Sequence, residues 1–359
     1  MAPSPPLPAF RDILGHEEAI AFFVGAARQE RLAQAYLLHG PDGVGKTALS
    51  LRLAAAMTCP APFGECPGCD PCRAAAAGNH SDVVVLAARG GQARHKIDAV
   101  KDFARQAYLS PENSPCRVLV LERADLLGTD AADAFLKTLE EPPATTRFLL
   151  TAVRRGRVAP TIRSRCQCLG LGPVEPERLA AWLSARGGDG ARATLAAAAA
   201  GGAPGRALRL LESPAILEAR DGAIRGFLEG ESGGEPFPEC LHEAAANDDF
   251  GGANDPEIPK GERSRDGIRL RLLAVLALLR DAIAASAAPR ACPALAPNRA
   301  AESSALASSL GIPSLRSMFD AVADALAEIS RNLNPRLVLD VLGDRLRAAG
   351  WRPSPQARA

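Results

Sequence analysis

Residues 36–57, YLLHGPDGVGKTALSLRLAAAM, decide the fold. Tyr36–Leu38 open the stretch as a short apolar strand. A glycine-rich turn follows, and then a run of helix-forming Ala and Leu. Gly40, Gly45, Lys46 and Thr47, with Gly43 inside the turn, complete the phosphate-loop pattern G-x-x-x-x-G-K-T. Glycines let backbone N–H groups curl around phosphate oxygens. Lys46 supplies a mobile point charge for the outer phosphates, Thr47 a hydroxyl for Mg²⁺, and the helix N-terminus a favourable dipole. The bare pattern recurs by chance, but the strand before it and the helix after it do not. An incidental glycine turn leaves that context unexplained.

Three more apolar runs, Asp82–Leu86, Val118–Leu121 and Arg147–Thr151, alternate with helical patterns. Alternating strands and helices predict a parallel sheet covered on both faces. Ligands of such sheets sit at the carboxyl ends of the strands. Glu122, Arg123, Ala124 and Asp125 then lie beside the phosphate loop. Nucleotide-hydrolysing domains of this kind end the strand with Asp-Glu, one carboxylate for Mg²⁺ and one to orient the attacking water. Here Glu122 takes the metal-facing position with one extra methylene, and Arg123 takes the water-orienting one. A guanidinium stays protonated at every cellular pH and cannot accept the proton. Losing such a group typically costs about 10²–10⁴-fold in rate. The expectation is a chain that binds ATP with Mg²⁺ and hydrolyses it slowly or not at all.

Nine cysteines need a reason in a chain expected to be cytoplasmic, where structural disulfides are rare. Cys59, Cys66, Cys69 and Cys72 are spaced C-x6-C-x2-C-x2-C among Pro and Gly. Four thiolates in so short a loop suit a tetrahedral structural Zn²⁺ with no open position for catalysis. A redox pair or free thiols is the competing reading. Cys116, Cys166, Cys168, Cys240 and Cys292 are scattered and expected to be small buried hydrophobes.

Downstream, Ala131–Glu141 is a helix stopped by Pro142-Pro143. A strand, a basic loop and Ser164-Arg165-Cys166 follow. Any one of Arg154, Arg155, Arg157, Arg163 and Arg165 reads by itself as surface charge. Arg165 has a second reading, a guanidinium serving a nucleotide on a neighbouring chain. Residues 173–212 are Ala-rich and helical. Ile216–Leu228, Phe237–Ala246, Gly267–Ala288, Ser314–Arg331 and Pro335–Ala349 are further helices. Residues 247–266 and 289–303 carry no periodicity and are expected to be loop.

The bulk numbers set limits. Forty-two basic and 41 acidic residues give a net charge of +1, so no global field recruits nucleic acid. The N-terminus MAPSPPLPAFRD lacks the charged and apolar regions of a signal peptide. No apolar run is long enough for a membrane span; four charges interrupt residues 267–288.

GPDGVGKT, the four-cysteine knob after its helix, FLKTLEEPP at 135–143 and TIRSRC at 161–166 together resemble the bacterial clamp-loader ATPases of the AAA+ class. NPRLVLDVLGDRL at 334–346 is similar to the last helix of their collar. The resemblance implies an α/β P-loop domain with a parallel sheet over residues 1–172, carrying the zinc knob at 59–72. It implies a helical lid over 173–212 and an all-α collar for oligomerisation over 213–359. It also implies a role in DNA replication: a hetero-oligomeric ring within DNA polymerase III opens the sliding clamp and places it on primer–template DNA. The partners implied are gamma/tau and delta subunits, the clamp, and DNA through the assembled complex, with no membrane.

Within the family, gamma/tau motor subunits carry Asp-Glu where this chain has Glu122-Arg123. The delta prime type keeps an arginine finger, Arg165 here, and hydrolyses poorly. The motors also carry a γ-phosphate-sensing arginine at a place matching Gly205. Arg206 stands one residue along, about 100° round a helix. Both departures point to the delta prime type. The motor type, a stand-alone P-loop ATPase and a nucleotide-free scaffold remain the alternatives.

Overall fold

The computed structural model describes residues 7–87, 95–232, 235–237, 241, 260–287, 294–330 and 333–352. These residues group into two compact units. One comprises residues up to Val174 together with Ala203–Arg206, and the other Glu175–Gly202 together with residues from Ala207 onward.

The first unit is a five-stranded parallel sheet flanked by helices. Its strands are β1 (Ala35–His39), β2 (Val83–Leu86), β3 (Arg117–Leu121), β4 (Thr146–Ala152) and β5 (Gln167–Gly170). The spatial order is β2-β3-β4-β1-β5. Its longer helices are α1 (Glu17–Arg28), α2 (Lys46–Thr58), α4 (Ile97–Gln106) and α5 (Thr129–Glu140). Two short ones are α3 (Asp70–Ala76) and α6 (Pro160–Arg163).

Period-2 side-chain alternation splits the core between the two faces. Tyr36, Leu38, Val118, Val120 and Leu149 pack with Phe23, Leu49 and Leu53 on one face. Leu37, Leu119, Leu121, Phe148 and Leu150 pack with Phe103 and Phe135 on the other. Burial on both faces explains why the central strands are continuous apolar runs. Beneath the sheet, Asp82 is fully buried and accepts the N–H groups of Glu112 at 2.8 Å and Asn113 at 3.0 Å. Arg117 lies 3.5 Å from it.

The second unit is helical: α7 (Pro176–Ser184), α8 (Gly190–Ala199), the rest of α9 (Pro204–Glu212) and α10 (Pro214–Glu229) lead to α11 (Lys260–Ala287). α12 (Ala300–Ser309), α13 (Ile312–Ser330) and α14 (Pro335–Ala348) follow. Leu272, Val275 and Leu279 of α11 share a core with Leu315, Met318 and Val322 of α13 and Leu339, Leu342 and Leu346 of α14.

Two loop expectations are corrected. Residues 260–266 are helical, because Lys, Glu and Arg are good helix formers and polarity alone does not end a helix. Residues 300–303, expected to be loop, begin α12. Its run AAESSALASS has no apolar period to betray it. It is launched by Asp281, whose carboxylate accepts the N–H groups of Leu295 and Ala296 just before the 3-10 turn Pro297–Arg299.

Apart from Phe237 and Leu241, the expected helix 237–246 lies outside the described residues, as do 247–259 of the expected insert. Cys116, Cys166 and Cys168 are half-buried rather than buried, and Cys240 and Cys292 lie outside the described residues. Among the described residues no helix is long and apolar enough to cross a membrane.

Candidate functional site

Three chain segments converge at the carboxyl ends of β1, β3 and β4. The phosphate loop leaves β1, and its Gly40 N–H donates to Ala152 O of β4 at 3.2 Å. A Cβ at Gly40 would stand 2.2 Å from the Leu171 carbonyl oxygen, so only glycine lets the loop pass that close. Gly43 has φ +76°, a left-handed conformation that side chains disfavour. Gly45 caps the N-terminus of α2, which starts at Lys46, with Thr47 in its first turn.

Lys46 is buried, and its Nζ donates to Gly40 O at 2.8 Å and Pro41 O at 2.7 Å. Burial holds its pKa below the usual lysine value. Asp42 opposes that shift, Arg123 adds to it, and Asp125 opposes it. Lys46 therefore feels the charges of residues 123 and 125, and the loop and the end of β3 form one electrostatic site.

Glu122 follows β3, its N–H donating to Leu86 O at 3.0 Å; its own carbonyl accepts from His95 Nε2 at 2.7 Å. Arg123 adopts a left-handed backbone, φ +52°. Its N–H donates to Thr151 Oγ1 at 3.0 Å. Its guanidinium meets Asp125 through Nε at 3.3 Å and Nη2 at 3.4 Å. Asp125 in turn accepts Val153 N–H at 3.1 Å, across to the end of β4. The side chain at position 123 is thus a cation held by a neighbouring carboxylate. That carboxylate is already committed to Arg123 and the β4 backbone.

Other groups at the loop were not legible in the sequence. His16, at φ +63°, donates from Nε2 to Val44 O at 2.9 Å. The start of α9 also meets the loop: Gly205 N–H donates to Gly43 O at 2.8 Å. Arg206, expected to be rotated away, reaches the loop, its Nη2 lying 3.5 Å from Asp42 O. Thr151, at the end of a strand, was the one member of this network with a positional signal.

Arg165 lies at the opposite edge of the sheet. It follows α6 and precedes β5, at the amino end of that strand. A strand of four or five residues separates it from the phosphate loop by more than about 13 Å. Its Nη2 pairs with Glu140 Oε1 at 2.6 Å and its Nη1 donates to Thr161 O at 3.0 Å. This partly exposed guanidinium is oriented by α5 and α6 and faces away from the chain's own loop.

The ligand atoms of Cys59, Cys66, Cys69 and Cys72 all lie within 4.8 Å of one another. Cys59 and Cys69 sulfurs are 3.9 Å apart. A tetrahedral ZnS₄ centre with Zn–S of about 2.3 Å requires sulfur separations of about 3.8 Å, so the donor set fits. The N–H groups of Cys69 and Gly68 hold the Cys66 thiol down at about 6, a ready thiolate. Burial pushes the Cys59 and Cys72 thiols up, the direction a bound cation reverses. The knob packs on the N-terminal segment: Phe63 meets Phe10 at 6.1 Å between ring centroids, and Gly64 O accepts Ala9 N–H at 3.2 Å.

Comparison with known proteins covers this same unit. Residues 15–175 match the family described as DNA polymerase III, delta subunit. DNA polymerase III subunit delta′ of Pseudomonas aeruginosa is 38% identical over 157 residues, 43% of this chain and 47% of that one. The Escherichia coli subunit delta′ is 35% identical over 181 residues, 50% of this chain and 54% of that one. The Bacillus subtilis subunit tau is 32% identical over 160 residues, 44% of this chain and 28% of that one. The chain thus spans about half the length, or less, of these curated relatives. Over residues 15–175, this chain is similar to the delta prime and tau subunits of DNA polymerase III.

Proposed function

We propose that this chain is a delta prime-type subunit of a replicative clamp loader, which lends charge to a neighbour's ATP site and has little turnover of its own. The observation that carries the reading is the pairing of Arg123 with Asp125 where a water-orienting carboxylate is needed.

Gly40, whose N–H is held by Ala152 O, would let the loop turn, and the N–H groups of Gly43 and Gly45, with Lys46, would grip the phosphates of ATP. Thr47 and Glu122 would hold its Mg²⁺. Arg123 has no lone pair with which to orient or deprotonate water. Asp125 is spent on Arg123 and Val153 N–H. Arg165, at the far edge of the sheet, would exchange its Glu140 partner for phosphoryl oxygens on an adjacent subunit, where such a finger contributes about 10³–10⁵-fold.

Cys59, Cys66, Cys69 and Cys72 would hold a structural Zn²⁺ with every position filled by protein. Residues 1–172, 173–212 and 213–359 would serve as nucleotide-binding domain, lid and collar. The partners on this reading are gamma/tau and delta subunits, the sliding clamp and primer–template DNA, all in the cytoplasm.

The test is reconstitution of the full chain with its motor and delta subunits. Arg165→Ala is expected to lower clamp- and DNA-stimulated ATP turnover. The isolated chain is expected to bind ATP, lose that binding on Lys46→Ala, and turn over no faster than the variant. Undiminished turnover with Arg165→Ala removes the finger. Motor-like turnover by the isolated chain, abolished by Lys46→Ala, restores the gamma/tau reading.

A further inference from the structure

The chain is nearly neutral, but its charge is not evenly spread. Residues 142–174 contain six arginines (147, 154, 155, 157, 163 and 165) and no lysine, aspartate or glutamate. Two of the six are occupied. Arg147 donates to the carbonyls of Ala144 and Thr146, and Arg165 pairs with Glu140. Arg154, Arg155 and Arg157 are exposed on the 3-10 turn after β4, and their guanidiniums have no hydrogen bond or ion pair among the described residues. Elsewhere in the same unit, arginines hold carboxylates: half-exposed Arg52 with Asp12 and exposed Arg105 with Asp102.

The surroundings do not neutralise this turn. It packs against Ala124–Leu126, whose one acid, Asp125, is 2% exposed and engaged by Arg123. Burial, and then the Arg155 charge, hold His39 below the usual histidine value, so Arg155 projects near the end of β1.

We propose that Arg154, Arg155 and Arg157 form a sequence-independent contact for the phosphate backbone of duplex nucleic acid. The choice of partner follows from what the turn lacks. Protein interfaces set arginine hot spots beside buried Trp and Tyr anchors, whereas the exposed residues of 154–157 are three arginines and a glycine with no aromatic among them. Single-strand sites stack bases on aromatic rings, and the turn carries none. Three guanidiniums without acid, aromatic or apolar company match a row of phosphates, which arginine bridges in bidentate fashion. This deepens the clamp-loader reading by giving it a DNA-facing surface, but it does not depend on Arg165 or on nucleotide.

The test is fluorescence anisotropy of the purified full chain with a labelled random-sequence duplex and a single strand of equal length, across a salt series. Substituting Arg154, Arg155 and Arg157 to Gln is expected to weaken duplex binding and to flatten the slope of log K against log salt by about 0.9 per guanidinium lost. A control triple, Arg105, Arg345 and Arg347 to Gln, removes equal charge from arginines that hold carboxylates and is expected to leave the slope unchanged. Equal loss in both triples, no duplex binding by the wild-type chain at low salt, or preference for the single strand would each overturn the assignment. None of those outcomes bears on the Arg165→Ala experiment, so the two readings fail separately.

Discussion

Asp82 has no exposed surface, yet it carries a charge because the loop before β3 is built around it. Burial pushes its pKa up. The N–H groups of Glu112 and Asn113, with Ser114 and His80, outweigh that and bring it below the usual aspartate value. A carboxyl with a depressed native pKa stabilises the fold above its unfolded value, about 3.9. That contribution fades as pH falls through the native pKa, because the unfolded state binds the proton more readily. Asp82→Ala leaves Arg117 buried without its carboxylate and is expected to cost about 3–5 kcal/mol at neutral pH, read by denaturant unfolding. Asp82→Asn is expected to be less costly and to flatten the loss of stability below about pH 4. An acid limb identical to wild type would mean the carboxylate is not the titrating group. Arg123 and Asp125 form another ion pair at the other edge of the sheet, where on the proposed function the charge bears on ATP turnover.

At the scale of elements, the phosphate loop, the central strands and the cysteine knob were legible in the sequence because each has a strict local signature. Those signatures are glycines at fixed offsets, apolar runs buried on both faces, and thiols within one short loop. β5 was missed because QCLG is four half-exposed residues without an apolar run. The network from Arg123 through Asp125 to Val153 was invisible because it joins the ends of two strands 28 residues apart. The coupling of the knob to the N-terminus was likewise long-range: Arg11 donates to Pro67 O and Ala9 to Gly64 O across more than 50 positions. That coupling predicts the effect of metal removal. If the knob holds zinc as proposed, displacing it with a thiol reagent is expected to release about one equivalent of metal, the stoichiometry of a four-thiolate site. It is also expected to raise hydrogen exchange in residues 7–13 while leaving α4 protected. Unchanged exchange at the N-terminal segment would show that the knob keeps its shape without metal.

At the scale of the whole molecule, the chain carries two cores that share no residues. One is layered on the two faces of the sheet, and the other is centred on α11, α13 and α14. Trp351, just beyond α14, closes the second core: its ring stacks on Phe227 at 5.8 Å and lies 5.9 Å from Phe237. Its Nε1 donates to Phe227 O at 3.0 Å. Removing the ring leaves a cavity and an unmet carbonyl, at a cost of about 3–5 kcal/mol. If the two cores unfold as separate cooperative units, that cost falls on one of them alone. Calorimetry of Trp351→Ala is then expected to show one transition moved down by several degrees and the other unmoved. On the proposed function, the unmoved transition is expected to be the one that ATP raises and that Lys46→Ala makes insensitive to ATP, because ligand stabilises only the unit that binds it. A single transition shifted as a whole would mean that the helical unit and the sheet-containing unit melt together, and that a ligand of one stabilises the other as well.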